Sequence, residues 1–221
     1  MEAARRLLQE AVQLARAIGA RRHLGVCLGS LALAGAHADR AAERRALEEA
    51  LAVARELGDE RYEGFWSGNL GSMGVADGEL DDARPLLERA AASALARGDR
   101  RSLAIWSTEL ARLERRAGDL AAAAAHLDAA ERCLGEVRDE TRLAIARCER
   151  GHLALALGRD AVPYLDDAGS AAARLAVAET SQLAQSVETL RRAVVRASAG
   201  GRLVLGECVE DLPPPLRPEG A

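Results

Sequence analysis

The chain contains no lysine: all 30 of its basic residues are arginine. That usage points to a GC-rich genome, a codon effect and not a structural one. Aromatic residues are scarce, at 2% of the sequence, with one Phe, two Trp and two Tyr. A core built from large rings is therefore excluded, and packing falls to small and aliphatic side chains. No apolar run approaches the ~20 residues needed to span a membrane as a helix. The opening MEAARRLLQEAVQLARAIGA has no uninterrupted apolar stretch of signal-peptide length. Cys27, Cys133, Cys148 and Cys208 are widely spaced with no CxxC, which reads as reduced thiols in a cytoplasmic protein. Net charge is −4 with both signs interspersed, so no basic field for nucleic acid is expected. P-loop, HExxH, nucleophile-elbow and dinucleotide patterns are all missing. Gly68, Gly71 and Gly74 imitate a phosphate-binding glycine series only in spacing, because they sit inside a helical segment with no strand before it.

What the chain does have is a repeat. Gly78, Gly118 and Gly158 are spaced 40 residues apart, as are Gly58 and Gly98, Trp66 and Trp106, and Leu70 and Leu110. A fixed period of this size indicates stacked supersecondary units, none of which can bury its apolar face alone. Apolar residues are 49% of the chain, and alanine supplies many of them. Alanine, leucine, glutamate and arginine all favour helix. Segments 1–18, 21–36, 41–57, 61–77, 80–97, 101–117, 120–136, 141–157, 161–176 and 178–198 are predicted helices, separated by short turns marked by glycine. The first proline expected inside a helix is Pro163, in a first turn where a missing N–H costs little. Short turns force neighbouring helices to run antiparallel. Residues 1–198 thus form one array closed by a terminal capping helix. Residues 199–221, which contain DLPPPLRPEGA, read as a Pro-rich and largely disordered tail.

Within each predicted hairpin the first helix carries a Leu-small pair: Leu31-Ala32, Leu70-Gly71, Leu110-Ala111. The second carries Ala83, Leu87 and Ala90, then Ala123, Leu127 and Ala130. This pattern resembles the tetratricopeptide repeat (TPR) over roughly residues 1–176. The period is longer than the family's usual ~34 residues and is similar to that of long-repeat bacterial signalling proteins. Arg150-Gly151 departs from the Leu-small pair, as terminal repeats commonly do. Residues 1–18 look like the second helix of a repeat whose first helix is missing, as in a fragment of a longer protein. The resemblance implies an all-α, right-handed superhelical array of antiparallel hairpins.

Two stripes run along the first helices. Trp66, Leu70 and Met73, then Trp106, Leu110 and Leu113, form an apolar stripe expected to pack between helices. The other changes chemistry from repeat to repeat and includes Phe65, Asn69 and Ser72, then Glu109, Arg112 and Arg116, then Glu149 and His152. By the resemblance, this second stripe lines a concave groove that holds a peptide or partner segment. Only Asn69 matches the residues with which some TPR domains clamp a C-terminal carboxylate, so that clamp is not expected. Arg112, with Arg115 and Arg116, is expected to engage an acidic segment, and Arg112→Glu to weaken binding while leaving the fold unchanged.

The leading functional expectation is therefore a non-catalytic protein–protein interaction scaffold that needs no cofactor or metal. By the same resemblance, the first alternative is a regulatory or sensor domain of a bacterial kinase, cyclase or ATPase-type transcription regulator. The second is an enzyme with a site on Cys148 and His152, four residues apart on one helical face.

Overall fold

The computed structural model describes residues 2–34 and 39–199. Among them the chain forms ten helices and no strand: α1 (Glu2–Ala17), α2 (Arg21–Leu33), α3 (Arg40–Glu56), α4 (Glu60–Asp77), α5 (Leu80–Ala96), α6 (Arg100–Ala117), α7 (Leu120–Val137), α8 (Glu140–Ala156), α9 (Val162–Arg174) and α10 (Gln182–Ala199). Each starts and stops within a few residues of its predicted segment. The end predicted for the second segment and nearly all of the Pro-rich tail, with Cys208, lie outside the described residues.

The helix ends follow from sequence. Asp39, Asp59, Asp99, Asp119 and Asp139 each accept a hydrogen bond from the backbone N–H three residues on, capping α3, α4, α6, α7 and α8. Gly78 and Gly118 close α4 and α6 in the left-handed conformation, which a side chain disfavours. Arg138 adopts the same conformation after α7 at φ 52°. Pro85 corrects the expectation for proline: it lies inside α5, past the first turn. There it removes one backbone hydrogen bond, but it is exposed on the outer side and obstructs no neighbouring helix.

From α1 to α9 each helix packs chiefly on its neighbours in sequence, giving hairpins α2–α3, α4–α5, α6–α7 and α8–α9. The fourth hairpin is completed by α10, which lies on both α8 and α9. Leu190 of α10 fills the space above Gly151, where an added Cβ would fall 2.6 Å from Leu190 Cδ2. That contact explains why the departing Arg150-Gly151 pair keeps its small residue.

The core runs the length of the array as a chain of alanine, leucine and tryptophan contacts. Trp66 covers Gly29 and Trp106 covers Gly68 so closely that a Cβ at either glycine would overlap the indole ring. One repeat on, the tryptophan position holds Ala146 and the glycine position holds Thr108. Large-on-none is replaced by small-on-medium, which keeps the volume filled. Gly71 and Gly74 likewise receive Leu87 and Ala83, so all three glycines of the apparent phosphate series are helix contacts.

This geometry ranks three substitutions. An added Cβ at Gly71 would lie 2.7 Å from Leu87 Cγ, and Ala90 is fully buried. Ser72 is half-buried; its hydroxyl donates to the Gly68 carbonyl of its own helix at 3.0 Å and also reaches the Glu109 carboxyl, whose charged form it favours. Gly71→Leu or Ala90→Leu is expected to cost about 1–3 kcal/mol through overpacking, and Ser72→Ala much less. Equal urea midpoints for the three variants would contradict the assignment.

Candidate functional site

The first helices of successive hairpins lie side by side, α6 touching both α4 and α8. Their shared face carries all eight candidate residues, because positions four and three residues apart recur on one side of a helix. At the α4 end, Phe65 is partly exposed and meets Trp66 and Trp106 edge-on, with ring centroids 4.9 and 6.0 Å apart. Asn69 is half-buried and donates to the Phe65 carbonyl at 2.8 Å. Phe65, Asn69 and Ser72 therefore form a continuous, partly open strip.

Further along, the face closes. Glu109 is 7% exposed and Glu149 6%, and Arg112 stands between them. Arg112 Nε and Nη2 donate to Glu149 Oε1 at 3.0 and 2.6 Å, and Nη1 donates to both Glu109 oxygens at 3.3 and 3.1 Å. Arg115 Nη2 lies 3.6 Å from the other Glu149 oxygen. One guanidinium thus ties α6 to α8 across a buried interface. From sequence alone, Arg112→Glu is expected to weaken binding of an acidic segment and to leave the fold unchanged. The structure corrects this: Arg112→Glu would place three carboxylates together in a half-buried space, which is a folding defect before it is a binding defect.

The two carboxylates respond in opposite directions. Burial drives Glu109 above the usual carboxylate range, with Glu149 adding to the rise and Arg112 opposing it. Burial would raise Glu149 too, but Arg112, Arg115 and His152 overcome it and hold that carboxyl at about 2. Burial disfavours the charged form of Arg112, but the two carboxylates outweigh it and raise its pKa. Arg116, next on the face, is half-buried, and burial followed by repulsion from Arg115 and Arg112 lowers its pKa. It has no ion-pair partner within 4 Å among the described residues, and only the field of Asp77 favours its charge. His152 is half-buried near Glu149.

Cys148 is fully buried, and burial with the neighbouring Glu149 pushes its thiol up to about 12. A nucleophilic cysteine needs a depressed pKa and access, so the Cys148–His152 pair lacks a thiolate at neutral pH. Among the described residues, no group of three or more His, Cys, Asp or Glu is placed to hold a metal, and no helix is long and apolar enough to cross a membrane.

The strip therefore divides into two parts. Phe65, Asn69, Ser72, Arg116 and His152 are at least partly open, while Glu109, Arg112 and Glu149 form a charged support beneath. Neither a family model nor a curated protein matches the chain.

Proposed function

We propose that the protein is a non-catalytic, TPR-like interaction scaffold, and that the open face of α4, α6 and α8 takes an extended acidic segment of a partner protein. Arg116 carries the reading. It is held half-buried beside Arg115 and Arg112, and no carboxylate pairs with it. Counting Arg116 itself with Arg112 and Arg115, the face holds three guanidiniums against two carboxylates, and one of those, Glu109, resists ionisation. A carboxylate from a partner would relieve that excess through charge-assisted hydrogen bonds. Phe65 offers an apolar contact at the other end of the strip, and Asn69 and Ser72 offer polar ones between.

Display of a random-peptide library on the folded protein is expected to enrich acidic segments that bind more weakly as salt rises. Arg116→Glu should reduce their affinity about tenfold or more, in the range of a lost charged anchor. Arg132→Glu, on the exposed side of α7, should leave it unchanged. Enriched peptides that bind all three proteins equally would remove this face as the site.

A further inference from the structure

The open face of α4 and α6 ends in two different chemistries. At one end stands Phe65, 36% exposed. The buried indoles of Trp66 and Trp106 pin its ring edge-on. Such a ring offers apolar area that is already ordered, so a group that covers it costs little further side-chain entropy. At the other end stands Arg116, which has no ion-pair partner within 4 Å among the described residues. Asn69 and Ser72 lie between. The Asn69 amide donates one N–H to the Phe65 carbonyl at 2.8 Å and keeps its Oδ1 as an acceptor.

The helices fix the distance between the two ends. Phe65 meets Trp106, and Trp106 covers Gly68, so equivalent positions of the 40-residue repeat stand nearly level on α4 and α6. Arg116 is then level with Ala76, eleven positions past Phe65. That is about 16 Å along the helix axis, and the step across between touching helices is about 9 Å. The diagonal is about 19 Å, which an extended chain covers in about six residues.

We propose that the acidic segment is held at two points: a carboxylate on Arg116 and, about six positions away, an apolar side chain on Phe65. This rests on the acidic-segment reading and adds a spacing that the reading does not require. Arg116 alone would accept any acidic stretch, and Phe65 selects among them.

The probes are fluorescent peptides of serine, alanine and glutamine. Each carries one leucine and one Asp-Asp pair, set three, six, nine or twelve positions apart. They are titrated with the full chain at low salt, where charge contacts are least screened. The six-position peptide is expected to bind about tenfold or more tighter than the others, as for a second anchor. Phe65→Ser should remove that preference, and Phe65→Leu, which keeps an apolar surface, should retain most of it. Arg116→Glu should weaken all four peptides. Equal binding of the four, still weakened by Arg116→Glu, would overturn the two-point proposal and leave the acidic-segment reading standing. So would a six-position preference that survives Phe65→Ser. A preference for twelve positions would overturn it in favour of a helical segment, which rises about 1.5 Å per residue. Binding by none of the peptides, or binding indifferent to Arg116→Glu, would overturn both.

Discussion

Replacing Arg112 by alanine is expected to destabilise the protein by about 3 kcal/mol, the lower part of the range for breaking a buried ion pair, because the arginine itself is only partly enclosed. The loss comes from what remains. Glu149 and Glu109 would sit 6% and 7% exposed with no guanidinium between them. The deficit should depend on pH. In the wild type, Glu149 has a lowered pKa of about 2. Its stabilising contribution is therefore fully present above the unfolded carboxylate value of about 4.3 and is lost as pH falls toward 2. In the variant Glu109 loses its main opposing charge and Glu149 keeps only Arg115 and His152 against burial, so both carboxyls rise relative to the wild type and the folded form gains relative stability as they protonate. The gap between the two proteins should be widest at pH 7 and narrow toward pH 3. Urea unfolding at both pH values measures it, and a gap that stays constant would reject the account. Replacing all three residues together by apolar ones of similar volume should recover most of the stability, since the desolvation cost of the charges disappears with them.

The second large effect concerns Gly68 and Trp106. Gly68→Thr brings a β-branched side chain to a place where its Cβ alone would lie 2.7 Å from the Trp106 indole. The expected cost is about 3 kcal/mol, the upper part of the range for overpacking. Trp106→Ala opens a cavity in a side chain site only 4% exposed, with an expected cost of about 3–5 kcal/mol. The two changes together recreate the pair the chain already uses one repeat later, Thr108 and Ala146. The double variant should therefore lose less than the sum of the singles, with a favourable coupling of about 2 kcal/mol. Additive losses in denaturant unfolding would show that the indole does not rest on Gly68.

The elements that sequence made legible are those governed by local chemistry. Gly58, Gly78, Gly98, Gly118 and Gly158 mark turns, all with positive φ, and the Asp-capped starts stand in the text of the chain. Trp66, Leu70, Trp106 and Leu110 are buried as their spacing required. Periodicity failed at depth. It puts Glu109, Arg112 and Glu149 on one side of their helices, but it does not say how closely α6 approaches α8. The Arg112–Glu149 bond spans 37 residues, beyond the reach of any helical pattern. Arg116 stayed legible as a binding candidate because nothing across the interface claims it. Pro85 lies within the predicted segment 80–97, and the strong helix formers around it carry the helix through.

Contacts that join mainly chain neighbours also set how the molecule folds. Closing such contacts requires only short loops, so the entropic barrier to each is small, and topologies of this kind fold quickly for their size. No single nucleus is required. Any hairpin that forms offers a template to the units on either side, and order then spreads outward along one dimension. Amide exchange should accordingly be slowest in α5 and α6, which are flanked on both sides, and grade outward to α1, whose leucines have one neighbour fewer to hold them.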